Sequence, residues 1–254
     1  MLKALKIRHL ITFFSSKIPF SYQTKLSYIL PPPSTLYGVL AKNIALNYNV
    51  YAEAAASHEK YVDFLRKLKE TVYTVRVKPL TPIIKNPSLI RQIRFEKQTS
   101  DAMVREYVRT CSFETYFIID TKAFEKTFGK LTKLIAYPSD RIGDSESLAT
   151  VTNVEILSIE HMPFSNGEVI LDTYTPLEFI KDFNRGIVAL LSDITMKGNV
   201  VRKQYLMPLE VIRKDSLEIY APVKLMVKVE DGVEILKVKD GTVIPFKKVS
   251  GKTN

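Results

Sequence analysis

Between Leu2 and Phe14 the apolar residues alternate with polar ones. Leu5, Ile7, His9, Ile11 and Phe13 share one side, and Lys6, Arg8, Leu10, Thr12 and Phe14 the other. A period of two predicts a strand with one dry face and one partly basic face. Pro31 to Pro33 end any extended run, since proline has no amide hydrogen and a fixed φ. Ser34 and Thr35 follow, residues suited to accept the free amides of a first helical turn. Leu36, Val39, Leu40, Ile44 and Ala45 then recur at three- and four-residue steps, which predicts an amphipathic helix. Gly38 lies one turn in, where a missing side chain allows a backbone or a phosphate to approach. A second helix is expected from about 53 to 69, with Tyr61, Phe64, Leu65 and Leu68 inward. Strands are expected at 71–77, 112–119 and 151–159, and a short helix at 121–130 with Ala123, Phe124 and Phe128 inward.

The resulting order is β-α-β-β-α-β, with a long excursion between the second and third strands. Two such halves make a ferredoxin-like or RNA-recognition-like sandwich, helices on one face and the other open, an α+β fold. Lys6 and Arg8 would point to that open face. From about Val200 the chain is strand-rich, and Asp231-Gly232 and Asp240-Gly241 signal hairpins. The expected division is a first domain over 1–159, with the excursion at 79–110, and a small β-rich domain over 160–254.

Charge sharpens this picture. The 254 residues carry 37 Lys and Arg against 27 acids, a net charge of +10, unevenly spread. Residues 1–52 hold six bases (Lys3, Lys6, Arg8, Lys17, Lys25 and Lys42) and no acid. Residues 76–109 hold eight bases against Glu96, Asp101 and Glu106. Positive charge beside Tyr22, Tyr28, Phe95 and Tyr107 suits a polyanion with bases to stack. The single Cys111 permits no internal disulfide and fits a reducing compartment. Lys3, Lys6 and Arg8 interrupt the apolar residues a signal peptide needs, and no run reaches the ~18 apolar residues of a membrane span. A cytoplasmic protein is expected, with no metal or other cofactor.

Several enzyme motifs are excluded. No G-x-G occurs, so dinucleotide fingerprints and Gly-rich kinase loops are absent. Gly251-Lys252-Thr253 has no preceding phosphate-binding loop. Gly143-Asp144-Ser145-Glu146-Ser147 lacks the second glycine of a nucleophile elbow, and reads as a turn whose side chains cap nearby backbone. His9 reads as a hydrogen-bonded core residue, His58 as helix surface, and His161 as part of a turn. None has an evident acid–base partner.

Two stretches carry a resemblance. PPPSTLYGVLAKNIA at 31–45, after a strand ending ITFF, and SDRIGDSESLATV at 139–151 together resemble the Cas-five family. That family belongs to the RAMP superfamily and supplies subunits of type I CRISPR Cascade complexes. The likeness covers about residues 1–155 and is greatest to subtype I-A. It implies a ferredoxin-like domain with a long β-hairpin thumb, here 79–110. It further implies binding of the 5′ handle of CRISPR RNA and capping of the Cas-seven backbone filament in antiviral defence. The large Cascade subunit would dock nearby and handle target DNA, so contact with DNA would be indirect. The RNA-binding residues expected are Lys6, Arg8, Lys17, Tyr22, Lys25, Tyr28, Ser34, Arg91, Arg94, Lys97, Arg105 and Arg141. In one branch of the family the protein itself cuts precursor RNA with Tyr, Lys and His side chains. Tyr22 and Lys25 lie in the corresponding loop without a nearby His in sequence, so binding without catalysis is expected. A metal-independent endoribonuclease is the alternative.

Overall fold

The structure is a computed structural model and describes residues 1–19, 24–48, 50, 56–94, 99–162, 168–215 and 217–247; the side chains of 91–94, 99–101 and 214 lie outside that description. The first half comprises β1 (Leu2–Ile11), β2 (Phe13–Phe14), β3 (Thr24–Lys25), α1 (Pro33–Asn47), α2 (His58–Thr71), β4 (Val72–Pro79), β5 (Ile83–Arg94), β6 (Thr99–Arg109), β7 (Ser112–Asp120) and α3 (Thr121–Phe128). Then come β8 (Ala149–Met162), β9 (Glu168–Leu171), β10 (Thr175–Pro176), β11 (Ile180–Phe183), β12 (Ile187–Ile194) and β13 (Val200–Met207). The chain closes with β14 (Leu209–Lys214), β15 (Glu218–Pro222), β16 (Leu225–Val229), β17 (Glu234–Val238) and β18 (Val243–Phe246). The protein is thus mostly β.

The main sheet runs β18-β17-β8-β1-β7-β4, antiparallel throughout. Leu5, Ile7 and Ile11 of β1, with Phe113, Phe117 and Ile119 of β7, pack against Leu36, Leu40 and Ile44 of α1 and Phe64, Leu65 and Leu68 of α2. The alternation in β1 and the helical periods predict this layer. Asp120 caps α3 through Lys122 N at 3.1 Å, and Ser57 caps α2 through Lys60 N at 3.2 Å. Position 53, where α2 was expected to begin, lies outside the described residues. Helix α1 begins one residue early: Pro33 occupies its first turn, Pro32 is the N-cap, and no side chain caps it. Proline loses nothing there, because its missing N–H would have had no helical partner. Thr35 instead shares a hydrogen bond with Ser16 Oγ at 3.2 Å. A Cβ on Gly38 would meet only Tyr61 Oη, at 3.8 Å, so no backbone crowds that position.

The open basic face expected of the sandwich is closed. Ala4, Tyr116 and Ile118 on the back of the main sheet are buried under Leu236, Val238, Ile244 and Phe246 of the β17–β18 hairpin. Lys6, expected to face RNA, is enclosed there, 3.2 Å from Glu114, 2.9 Å from Asp240 and 3.7 Å from Glu155. An apolar face on a sheet must be covered, and the chain's own C-terminal hairpin covers it. The boundary expected at 159 therefore falls inside β8, whose Ile159 pairs with Val238. Asp240-Gly241 does turn a hairpin, between β17 and β18. Asp231-Gly232 does not: β16 pairs with β9 and β11, while β17 pairs with β8 and β18. Strands β5 and β6 pair antiparallel as the β5–β6 hairpin, in a sheet ordered β14-β15-β5-β6-β2. Ile83 and Val108 root it in the central core.

Candidate nucleic-acid interface

Where β1 ends, the chain leaves the main sheet, and β2 pairs with the base of the hairpin, Phe14 opposite Val108. The next residues, Ser15 and Ser16, are buried, and their amides need partners. Ser15 N donates to Ser147 Oγ and Ser16 N to Ser27 Oγ, both at 3.0 Å. Ser27 N donates to Glu106 Oε2 at 2.9 Å, and Glu106 pairs with Lys85 at 3.0 Å. Two turns of loop are thereby fastened to the hairpin.

The 143–147 loop is the second fastening. Asp144 Oδ1 accepts from Ser147 Oγ at 2.8 Å and from Glu146 N at 3.3 Å, while Asp144 N donates to Ser15 O at 3.0 Å. Gly143 has φ +124°, and a Cβ there would sit 2.7 Å from Ser15 O. The capping turn expected from the sequence is what forms. Its carboxylates also reach the hairpin: Arg105 pairs with Asp144 and, at 3.1 Å, with Glu146, while Tyr107 Oη donates to Glu146 at 2.8 Å. The Arg105 guanidinium lies over the Tyr107 ring, 5.1 Å from its centroid. From the other side Lys42 of α1 pairs with Asp140, holding its carboxyl below the usual range, and Asn43 Nδ2 donates to Ser139 Oγ at 2.7 Å. The stretches 31–45 and 139–151, separate in sequence, are joined in the fold.

Several expected contacts are corrected. Arg105 is neutralised by two carboxylates rather than projecting freely. Tyr28 is 5% exposed, and its hydroxyl shares a 2.7 Å hydrogen bond with Ser192, so it offers no ring for stacking. Tyr22 and Lys97 lie outside the described residues, as do the side chains of Arg91 and Arg94, whose backbones pair with Ala102 and Thr99. Of the cations expected to bind RNA, four make no salt bridge among the described residues, Arg8, Lys17, Lys25 and Arg141, although the charge of Arg141 does act on the neighbouring Asp140 carboxyl. Lys17 bridges to Ser27, Lys25 lies beside Arg105 on β3, and Arg141 bridges to Leu148 across the neck of the loop. These three border the same fastened region as half-buried Ser34, one residue before Thr35; Arg8 is exposed on β1. Ser15, Ser27, Glu106, Asp144 and Glu146 organise the region without having been singled out as site residues. Only Gly143 with its polar run signalled them.

The three histidines lie on three different elements. His9 is buried with Nε2 3.1 Å from Thr115 Oγ1, its ring against Phe113, and burial lowers its pKa to about 3. His161 stands on β8 beside Glu234, and His58 opens α2. No cluster of three or more His, Cys, Asp or Glu suited to a metal occurs among the described residues, and no helix there is long and apolar enough to cross a membrane.

The chain matches no family profile. Its fold is similar to that of a CRISPR protein from Archaeoglobus fulgidus, with a TM-score of 0.61, 14% identity, and 98% of this chain and 100% of that one covered. A CRISPR RNA-guided surveillance complex contains a chain at TM-score 0.41 and 10% identity, too distant to carry an argument. In sequence the chain is 30% identical over 198 residues to the CRISPR-associated protein Cas5 of Methanocaldococcus jannaschii, spanning 74% of this chain and 78% of that protein. Identity at this level across most of both chains means that the protein belongs to the Cas5 family.

Proposed function

We propose that this protein is a subunit of a type I CRISPR effector complex, nearest subtype I-A, that holds the 5′ handle of CRISPR RNA and caps a Cas-seven filament in cytoplasmic antiviral defence. The large subunit would dock beside it, leaving its contact with target DNA indirect. The observation that carries this reading is the placement of Lys17, Lys25 and Arg141. Among the described residues they make no salt bridge, and they stand where the two family-like stretches and the hairpin base converge. Charges without a salt-bridge partner on a hydroxyl-rich edge suit phosphates, since binding them releases counterions. The first half reads as a ferredoxin-like RAMP domain with the β5–β6 hairpin as its thumb. The four-strand path β8-β1-β7-β4 supports this, because it is the order in which two βαβ halves interleave.

The test is binding of repeat-derived RNA to the protein assembled with its filament partner, across a salt series. With ~4–6 phosphates neutralised, log K should fall with log salt at a slope of roughly −3 to −4. The Lys17→Ala/Lys25→Ala/Arg141→Ala variant should flatten that slope by about 2. A slope near zero, or equal affinity for unrelated RNA, would remove the reading. Cutting is not part of the proposal, and pure protein with repeat RNA in EDTA should leave the RNA intact.

A further inference from the structure

A cavity of about 390 Å³ lies away from this edge, between the main sheet and the β12–β13 pair; none of Arg8, Lys17, Lys25 and Arg141 lines it. Among the described residues its walls carry four cations, Lys69, Arg76, Lys203 and Lys247, against two carboxylates, Glu178 and Asp193. Lys203 is matched by Glu178 at 3.0 Å. Asp193 is engaged by Tyr205 Oη at 2.8 Å and Ile194 N at 2.7 Å; it makes no salt bridge with Lys69 or Arg76, although its charge acts on Lys69. The walls therefore hold an excess of two positive charges.

Arg76 is 2% exposed and makes no salt bridge among the described residues. Its two terminal nitrogens donate to Thr74 Oγ1, Val75 O and Pro245 O, and its Nε has no hydrogen-bond partner. Lys69, 8% exposed, donates to Tyr37 Oη at 2.7 Å and Tyr73 O at 3.2 Å and lies 4.3 Å from the Tyr37 ring centroid, so one of its three protons has no hydrogen-bond acceptor among the described residues. A buried guanidinium held only by neutral groups is unfavourable, and an anion in the cavity would supply the missing charge. Tyr73 and Phe246 stack in the wall with centroids 5.8 Å apart and planes 25° from parallel, and Phe179 also lines the space. Flat aromatic walls and this volume match a ligand of nucleotide size.

We propose that this cavity binds a nucleoside monophosphate, its phosphate held by Arg76 and Lys69 and its base against the aromatic wall. A phosphate dianion equals the excess charge. Burial lowers the Lys69 pKa to about 8, opposed by Asp193 and reinforced by Arg76 and Lys203. Tyr37, Tyr73, Tyr205, Glu178 and Lys247 complete the ionisable groups around the lysine and its cavity. Affinity should accordingly fall as pH rises through about 8, because the phosphate meets a neutral amine.

The test uses the full chain with AMP, adenosine and inorganic phosphate as probes in calorimetric titration. AMP should bind, adenosine should not, and inorganic phosphate should bind at least tenfold more weakly than AMP. Lys69→Met keeps the side-chain volume and should weaken AMP at least tenfold, with its melting temperature measured in parallel. In the unaltered protein, AMP should slow acetylation of Lys69 by an N-hydroxysuccinimide ester at pH 8.5, a readout that requires no variant to fold. Inorganic phosphate binding as tightly as AMP would overturn the nucleotide assignment. The absence of both binding heat and protection at millimolar AMP would overturn the site. The Lys17→Ala/Lys25→Ala/Arg141→Ala variant should bind AMP normally, so failure here is separable from failure of the RNA interface.

Discussion

At the scale of single residues, burial decides what each side chain can do. His9 was legible as a core residue because it falls in the dry register of β1, and burial keeps it neutral. Its folded pKa of about 3 lies below the unfolded value of 6.5, so between those values the unfolded chain binds the extra proton. Stability is therefore full above pH 6.5 and declines as pH falls toward 3, by about 1.4 kcal/mol per unit within the window. His9→Gln should flatten the fall in urea midpoint between pH 6.5 and 4.5, and an unchanged profile would contradict the argument. Gly143 is a second such case: with φ +124° and Ser15 O 2.7 Å from the site of a Cβ, Gly143→Ala should cost roughly 1–3 kcal/mol. Urea denaturation reads that directly. That Lys6, Tyr28 and Arg105 are enclosed or paired is not legible, because the sequence shows charge and aromaticity but not what lies above them. Lys6 meets Asp240, 234 positions away, and Arg105 meets Asp144, 39 positions away.

At the scale of elements, periodicity was enough wherever an element buries one face against its sequence neighbours. Helix α1, with Leu36, Leu40 and Ile44 inward, and β7, with Phe113 and Phe117 on one side and Tyr116 and Ile118 on the other, follow from local spacing. The β17–β18 hairpin was legible as a hairpin, but its role as a lid over the back of the main sheet was not, because partner choice between strands is tertiary. The β5–β6 hairpin follows from the family resemblance and not from local spacing, which marks only a basic excursion, and its clamp follows from neither. Arg105→Met leaves Asp144 and Glu146 facing each other without a cation. Since Glu146 is half exposed, water offsets part of that loss, and about 1–2 kcal/mol is expected. Amide exchange over 104–109 should quicken, and adding Glu146→Gln should restore part of the stability. No change in exchange would show that the hairpin is fixed by Ile83 and Val108 alone.

At the scale of the whole molecule, the two expected domains share one interior. The central cluster unites Leu5, Ile7 and Phe117 of the main sheet with Tyr174, Leu191, Tyr205, Met207 and Tyr220 from beyond position 159. Tyr37 of α1 sits among them, donating to Val72 O at 3.0 Å and accepting from Lys69. Tyr174 N donates to Val77 O at 3.0 Å, so backbone as well as side chains crosses the expected division. Cutting the chain at 159 would strip both the lid from Ala4 and Tyr116 and the wall from α1. Neither piece could then bury its apolar surface, and each buried large side chain left uncovered forfeits ~1.5–3 kcal/mol. Unfolding of the intact protein should accordingly be one cooperative transition, with calorimetric and van't Hoff enthalpies equal. A fragment of residues 1–159 should show weak amide-exchange protection and no sharp melt. Two resolved calorimetric transitions, or a fragment that melts cooperatively, would mean that the halves are held together by contact alone and do not depend on each other to fold.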